Sequence, residues 1–366
     1  MKFDTERDAF LQPLQEIVGV IEKKQTLPIL ANVLIDVNNE NISFTGTDLE
    51  IQLLTTAKVS GKNVGKITVP ARKLLDIFRY LPNGKLIKLD FREDKLRLVC
   101  GKSRFSLSTL PAENYPKFEN DGYDHEIILQ ALKLRKGLEK TQFCMALQDV
   151  RYYLVGILLE IEGRTISLVS SDGHRMAVFT DNIDENLEER MRIILPRKAV
   201  LELYRLLTDC GEAVTLKFSK NGIQMTVGNT KFSSKLIEGK YPDFKKIFPQ
   251  HSNKVSLIDK ELLKDAINRV AILSNEQLKD VRLDMNENLL RLRTNNQEQE
   301  EAEEEIVVDY KGSPFNTGYN ASYLHDAISQ VSSDQVRLTF FDQNDSCLVE
   351  DLDDSTFRYL LMPVRA

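Results

Sequence analysis

Ser171-Asp172-Gly173-His174-Arg175 sets a hydroxyl, a carboxylate and an imidazole within four residues, the ingredients of acyl transfer or general-base chemistry. A triad, however, draws its members from different elements, with the base oriented by a third group. This stretch reads instead as a polar turn joining two strands, with Thr47-Asp48 and Asn295-Asn296 in matching places elsewhere in the chain. Gly61-Lys62-Asn63-Val64-Gly65-Lys66 has three residues between its glycines where a phosphate loop has four, and Ile67 follows where a magnesium-binding hydroxyl should stand. His125, His174, His251 and His325 are the only histidines, and no pair has metal-ligand spacing. The acidic run Glu298, Glu300, Glu301, Glu303, Glu304, Glu305 lacks the glycine and asparagine of a calcium loop. No metal and no cofactor is therefore expected. The acidic run reads as a solvated face or as a docking strip for a basic partner. Two alternatives stay open at this level: a metal-dependent nuclease or phosphatase using that run, and a monomeric scaffold that binds proteins only.

The elements that must position these residues come from a chain of 366 residues, 42% of them apolar. At roughly 100 to 200 residues per domain, two or three domains are expected, each with its own core. The longest apolar runs are only a few residues, far short of the roughly 20 that span a bilayer. The amino terminus, Met1-Lys2-Phe3-Asp4-Thr5-Glu6, is acidic where a secretory signal is basic and apolar, so a cytoplasmic location is expected. Cys100, Cys144, Cys210 and Cys347 are far apart, which argues for buried thiols and against a disulfide framework. The net charge of −6 argues against an ordinary nucleic-acid binder, whose footprint is a basic surplus.

The chain repeats itself. Val69-Pro70-Ala71-Arg72 returns 126 positions on as Leu195-Pro196-Arg197-Lys198, and Tyr115-Pro116 returns at the same offset as Tyr241-Pro242. Apolar triplets at i, i+4 and i+7 mark a helix after each landmark: Leu74, Phe78, Leu81; Val200, Tyr204, Leu207; and Leu324, Ile328, Val331. Alternating strands follow, with turns at Glu93-Asp94, Asn221-Gly222 and Asn344-Asp345; Asn-Gly suits a tight hairpin because both residues tolerate positive φ. An earlier helix also recurs, at Phe10, Leu14, Ile17, Ile21, at Leu134, Leu138, Thr141, Met145, and at Leu262, Leu263, Ile267, Val270. A strand pair follows it, as in Val33-Leu34-Ile35 with Ile42-Phe44 and in Ile157-Leu158-Leu159 with Ile166-Leu168. The fold class is α+β, in three similar units over residues 1–122, 123–248 and 249–366, each with two helices packed on mostly antiparallel strands. Lys95, Arg97, Lys102 and Arg104, beside apolar Phe105 and Leu107, complement the acidic run, and Ile272-Leu273 could meet those apolar residues. Complementary patches at opposite ends of one chain make a head-to-tail contact that closes a ring or grows a filament.

Several stretches carry a resemblance: Thr26-Leu27-Pro28-Ile29-Leu30, Thr45-Gly46-Thr47-Asp48-Leu49-Glu50, Ser103-Arg104-Phe105-Ser106-Leu107, Gln148-Asp149-Val150-Arg151-Tyr152-Tyr153-Leu154, Asp172-Gly173-His174-Arg175, Ala271-Ile272-Leu273-Ser274-Asn275-Glu276 and Met362-Pro363. Over its whole length the chain resembles the bacterial DNA polymerase III beta subunit, the replicative sliding clamp. The resemblance implies a DNA-clamp fold closing as a head-to-tail homodimeric ring, with helices lining a hole around duplex DNA. It implies a non-catalytic processivity factor that slides without sequence preference and is opened by an ATP-driven clamp loader. It places Lys24, Arg72, Lys73, Gln148, Arg151, Tyr152, Tyr153, Arg197 and Lys198 facing the duplex; Arg79, Lys136 and Arg205 join them as basic residues of the lining helices. It also implies a groove between the second and third domains, formed by Arg151, Leu154, Ser171, Gly173, His174, Arg175, Met176, Pro242, Ile247, Ser346 and the tail residues Leu360, Met362, Pro363 and Val364. There, short peptides of the replicative polymerase, the clamp loader and repair polymerases dock. Ser171, Met176 and Val364 depart from the residues common in relatives, so peptide preference is expected to differ in detail.

Geometry and charge agree with a ring of two chains. A domain of about 122 residues has a radius of gyration of roughly 14 Å; six such bodies in a hexagon leave a gap of about 35 Å, whereas three leave only about 5 Å. Four of the expected helices, over residues 71–81, 129–146, 197–207 and 260–273, carry net charges of +2, +3, +2 and +1 in a chain of −6. The others depart from this: residues 6–22 sum to −3, which Lys23 and Lys24 partly offset, and 322–331 hold only Asp326. A basic lining held loosely to phosphate suits sliding, since each phosphate neutralised adds affinity by counterion release.

Overall fold

A computed structural model describes residues 2–22, 27–38, 41–58, 64–92, 94–118, 122–208, 213–249, 251–341 and 346–364. Lys23, Lys24, Thr26, Gly61, Lys62, Asn63, Glu93, Cys210, Asn344, Asp345 and Arg365 lie outside them.

Each of the six expected helices forms: α1 (Arg7–Val18), α2 (Ala71–Tyr80), α3 (Ala131–Thr141), α4 (Arg197–Leu206), α5 (Lys260–Val270) and α6 (Ala321–Ser329). Their apolar stripes are buried, including Phe10, Leu14 and Ile17 on α1 and Leu324 and Ile328 on α6; each such side chain contributes about 1.5–3 kcal/mol relative to exposure. Two helix starts are capped by side chains. The Asp259 carboxylate accepts the Leu262 amide at 2.8 Å and the Asn320 amide oxygen accepts the Tyr323 amide at 3.1 Å, satisfying donors that a first turn leaves unpaired.

Some boundaries differ from the periodicity. α1 stops at Val18, short of Glu22, where the Gly19 amide turns back to the Glu16 carbonyl at 3.2 Å. α3 and α5 tighten into 3-10 turns, Gln142–Cys144 and Ala271–Leu273. Leu262 is 39% exposed, and Leu263, Ile267 and Val270 form the buried stripe of α5. At Asn221-Gly222 neither residue takes positive φ. Gly222 already pairs with Lys235 in the sheet, so the hairpin closes one step earlier, through the Ser219 amide on the Gly222 carbonyl at 2.9 Å.

Strand pairs among the described residues are antiparallel, as an α+β chain requires, and the backbone gathers into two compact units. The first comprises Met1–Arg135 and Lys198–Leu236. Its eight-stranded sheet runs Gly65–Pro70, Asn32–Val37, Asn41–Thr47, Ile51–Lys58, Thr230–Lys235, Gly222–Val227, Ala213–Phe218, His125–Gln130; a four-stranded sheet runs Lys2–Glu6, Leu86–Arg92, Lys95–Cys100, Ser103–Ser108. The Phe10 ring stacks on Phe78 at 5.1 Å and meets Phe44 edge-on at 4.8 Å, tying α1 to α2 and to the sheet. The second unit comprises Lys136–Arg197 and Ile237–Ala366. Its six-stranded sheet runs Gly156–Ser171, Arg175–Pro196, Phe357–Leu361, Cys347–Asp351, Gln335–Phe340, Lys254–Asp259; its four-stranded sheet runs Glu301–Val307, Leu289–Asn295, Asp280–Asn286, Phe315–Asn320. Residues 157–159 and 166–168 both belong to Gly156–Ser171, whose register against Arg175–Pro196 shifts on either side of Gly163.

The middle repeat is thus divided. Its Thr230–Lys235 strand bonds to Ile51–Lys58 of the first repeat, and its Arg175–Pro196 strand bonds to Phe357–Leu361 of the third. Sheet hydrogen bonds across repeat boundaries make units that no single repeat could form.

Candidate functional site

The turn that offered a hydroxyl, a carboxylate and an imidazole is a structural one. The Ser171 hydroxyl donates to the Arg175 carbonyl at 2.7 Å and accepts the Gly173 amide at 3.1 Å; Asp172 Oδ1 accepts the amides of His174 and Arg175 at 3.0 and 3.1 Å. Both side chains are consumed by the backbone, as Asx and Ser turns consume them. Gly173 sits at φ +90°, and a Cβ there would lie 2.7 Å from the Arg151 guanidinium. The glycine therefore serves two ends: a left-handed backbone and room for Arg151. Arg151 in turn is pinned by a two-pronged pair with Asp149 at 3.0 and 2.8 Å. Those bonds hold the Asp149 carboxyl down at about 2, well below the usual carboxylate range.

Behind the turn, Arg175 is the fixing point. Its side chain, 10% exposed, donates to Asp172 at 2.9 Å, to Asp326 on α6 at 2.7 Å and to the Phe143 carbonyl at 2.8 Å. The guanidinium also lies 4.0 Å from the Tyr323 ring centroid. A cation removed from water needs this many partners to offset its desolvation. Burial pushes the neighbouring Cys144 thiol well up. Cys100 and Cys347 are likewise free and buried.

A second network fixes the opposite wall. Glu160, 1% exposed, is met by Arg190 at 2.8 Å, Arg192 at 3.1 Å and Lys245 at 3.3 Å. Arg192 also donates to the Tyr241 and Pro242 carbonyls at 2.9 and 3.1 Å, which straps the segment from Tyr241 to Ile247 onto the sheet.

Between turn and segment opens a pocket of about 190 Å³, lined by Arg151, Tyr153, Leu154, Ser171, Gly173, Arg175, Met176, Tyr241, Pro242, Ile247, Leu360 and Met362. It is mainly apolar, and beneath it Leu154, Met176 and Leu360 join one buried cluster. The Met362 amide donates to the His174 carbonyl at 2.9 Å, bringing the carboxy-terminal tail to the rim. The Tyr241 hydroxyl is buried with no hydrogen-bond partner among the described residues.

Most of the expected groove residues meet here, from segments far apart in the chain. His174, Ser346, Pro363 and Val364 do not line the pocket. Ser346 is buried, its carbonyl taken by the Phe341 amide at 3.0 Å, and the Val364 amide is tied to the Gly318 carbonyl at 2.8 Å. Tyr153 and Tyr241 were missed as pocket residues. Tyr153, expected to face the duplex, instead sets its ring 5.8 Å from that of Tyr241. The Tyr-Pro landmark was the available signal for Tyr241.

The basic residues expected to face DNA are dispersed and largely engaged within the chain. Lys24 lies outside the described residues. Arg72 donates to the Ile21 carbonyl at 2.7 Å, Arg79 pairs with Asp76 at 3.5 Å and Lys136 with Asp354 at 2.8 Å. Lys198 pairs with Glu22 and Asp48, Arg205 with Glu202, and Arg197 reaches the Met145 carbonyl at 3.4 Å. Lys73, Gln148 and Tyr152 are exposed. The acids paired with Lys136 and Lys198 lie off their helices, so net helix charge overstates the cationic groups free for phosphate at those two positions.

The complementary patches fall on sheet edges. Among the described residues of the first unit, Ser103–Ser108, bearing Arg104, Phe105 and Leu107, pairs only with Lys95–Cys100, which bears Arg97; Lys95 and Lys102 are exposed beside it. Among the described residues of the second unit, Glu301–Val307 pairs only with Leu289–Asn295. Its acids are partly neutralised at home: Glu304 pairs with Arg269 at 2.6 Å, and Glu303 and Glu305 with Arg291 at 3.6 and 2.5 Å; the adjoining Glu300 accepts a neutral hydrogen bond from Asn296 at 2.7 Å. Glu298 and Glu301 are exposed. Ile272 is 76% exposed and Leu273 half-buried. Among the described residues no three acidic, histidine or cysteine side chains converge as a metal site, and no helix is long and apolar enough to cross a membrane.

Three family models match in succession: the DNA polymerase III beta subunit N-terminal domain over residues 1–119, its central domain over 128–243 and its C-terminal domain over 245–365. The chain is 44% identical to the beta sliding clamp of Pseudomonas putida and 40% identical to that of Escherichia coli strain K12, covering 100% of both chains in each case. Among solved structures it is similar to a sliding clamp, DNA polymerase III subunit beta, from Pseudomonas aeruginosa bound to griselimycin, with TM-score 0.96, 43% identity and 100% of both chains covered. It is also similar to the Caulobacter crescentus pol III beta, with TM-score 0.94, 33% identity and again 100% of both chains. With the repeated helices, the antiparallel sheets and these full-length matches in hand, the chain belongs to the DNA polymerase III beta subunit family, the beta sliding clamps.

Proposed function

We propose that this chain is a non-catalytic DNA polymerase processivity factor: two copies close head to tail around duplex DNA, and the pocket beneath the Ser171 turn tethers the polymerase. The repeats over residues 1–122, 123–248 and 249–366 are its clamp domains, so the ring holds six. The observation that carries the ring is the pair of half-open edge strands. Among the described residues, Ser103–Ser108 and Glu301–Val307 are each paired along one side only, one beside basic side chains and the other beside acidic ones. Unpaired edges are templates for pairing, and two different edges on one chain give a heterologous contact that closes when the rotation allows. Exposed Ile272 supplies apolar area at that contact.

DNA is held by enclosure, without reading of base edges. Lys73, Gln148 and Tyr152 face the duplex, and Arg72, Arg79, Lys136, Arg197, Lys198 and Arg205 shape the field while anchored to their own partners. The pocket accepts short apolar peptides of the replicative polymerase, of the clamp loader and of repair polymerases, and tethering raises their effective concentration at the primer end. The protein works in the cytoplasm.

Retention on DNA of different topology tests this. Purified protein loaded on a nicked circle stays bound and leaves once the circle is cut. In sedimentation the species has twice the chain mass of 41.9 kDa, and Ile272→Ala with Leu273→Ala halves it. Equal retention on linear fragments, or a 41.9 kDa species before substitution, overturns the reading.

A further inference from the structure

The pocket has a neighbour on the same sheet that none of the family's features above includes. A second depression, of about 910 Å³, lies over Lys254–Asp259, Gln335–Phe340, Cys347–Asp351 and Phe357–Leu361, with Phe341 and Leu348 at its base and Arg337, Glu350 and Arg358 around it. Cross-strand partners lie on one face of an antiparallel sheet. Met176 pairs with Leu360, Leu360 with Leu348, Leu348 with Thr339 and Thr339 with Val255. The row starts in the peptide pocket, at Met176 and Leu360, and ends in the second depression, at Leu348, Thr339 and Val255. Leu360, Leu348 and Phe341 belong to one buried cluster, so the two depressions share a floor.

The adjacent row on the same face carries the charge. Arg358 pairs across the strands with Glu350, and Glu350 with Arg337. Both arginines are exposed, and among the described residues neither has an ion-pair partner. Arg358 stacks at 4.8 Å on the ring of Phe248, next to Ile247 of the pocket wall. In a chain of −6, a face with two such arginines against one partly shielded glutamate selects for negative charge.

We propose that the second depression is a continuation of the peptide site, which takes the acidic residues flanking the apolar core of a docked partner peptide. The proposal rests on the reading of the pocket as a peptide site. The apolar core enters beneath the Ser171 turn; the flank crosses the Leu360 and Leu348 strands in extended form and sets its carboxylates against Arg337 and Arg358. Specificity among partners then comes partly from charge outside the pocket, and it depends on salt because both arginines are exposed.

Fluorescence anisotropy with synthetic probes tests this on the full-length protein. The core probe is a labelled Ser-Leu-Ser-Leu-Phe-Gly amide; the others add Glu-Asp-Glu or Lys-Ser-Lys to its amino or carboxyl end. At low ionic strength one acidic extension tightens binding by about three- to tenfold over the core probe, the basic extensions do not, and the gain fades as salt shortens the screening length. Arg337→Gln and Arg337→Glu remove most of the gain and leave affinity for the core probe unchanged. Core binding without gain from either acidic extension, equal gain from basic ones, or a gain that survives Arg337→Glu overturns the continuation and leaves the pocket reading standing. Failure of the core probe itself overturns the pocket reading, and the continuation with it. Displacement of the acidic probe by a twelve-residue oligothymidylate, with the core probe left bound, assigns the depression to nucleic acid and also overturns the proposal.

Discussion

The same turn is built twice in this molecule. At residues 47–51 the Thr47 hydroxyl donates to the Ile51 carbonyl at 2.7 Å and accepts the Leu49 amide at 3.1 Å, while Asp48 Oδ1 accepts the amides of Glu50 and Ile51 at 2.9 and 2.8 Å. The turn at 171–175 repeats this bond for bond, and the third residue is left-handed in both, Leu49 at φ +82° and Gly173 at φ +90°. The two turns share only the aspartate, and two of their four differences set their roles apart. Leucine stands where glycine makes room for Arg151, and Ile51 stands where Arg175 anchors the second turn. Asp48 therefore takes its cation from Lys198 on α4, whereas Asp172 takes it from the arginine of its own turn. One backbone motif serves as a plain connection in the first unit and as the rim of an apolar pocket in the second. What changes is the side chains that the motif lets approach.

The largest expected effect is at Arg175. Arg175→Ala strands Asp172 and part of Asp326 and should cost about 3–5 kcal/mol in chemical denaturation. Lys198→Ala, at the matching place in the first turn, should cost less, because Lys198 is more exposed than Arg175 (30% against 10%). Equal losses would erase the distinction between the turns.

Exchanging the third residues comes next. Gly173→Leu places a side chain at positive φ, where a left-handed residue other than glycine costs about 1–2 kcal/mol, and drives into Arg151. Affinity for an apolar peptide should fall at least tenfold by calorimetry. Leu49→Gly removes the same strain at a site where leucine is 40% exposed, and should raise stability by about 0.5–1 kcal/mol after the entropy that glycine adds to the unfolded chain.

The smallest effect is pH dependence. Asp149 has its folded pKa depressed to about 2 from the usual 3.8, first through the Arg151 side-chain bond. The carboxylate is charged in both folded and unfolded chain above pH 3.8, so its pairing is fully present there and is lost as pH falls through about 2. A carboxyl titration by NMR with a midpoint near 3.8 would remove Asp149 as the anchor of Arg151.

Much of this was legible in the amino acids alone, for physical reasons. Repeated i, i+4, i+7 triplets dictate six amphipathic helices, because a stripe of that width has to be buried wherever it occurs. The polar turn at residues 171–175 is local in origin, because serine and aspartate compete for nearby backbone amides whatever surrounds them. Other features depend on partners distant in the chain. Tyr153 turns toward Tyr241, Ser346 is covered, Lys136 spends its charge on Asp354 and Lys198 on Glu22 and Asp48; no local spacing encodes such pairings, unlike the i, i+3 pairs of Arg79 with Asp76 and Arg205 with Glu202. The division of the middle repeat between two units was equally out of reach, since it follows from which sheet edges find each other. The elements, their repetition and the chemistry at the Ser171 turn follow from the order of amino acids, because short-range sterics and burial set them. Which charges remain free and which apolar residues meet around a pocket follows from the folded arrangement, because both depend on contacts between segments that the chain order keeps apart.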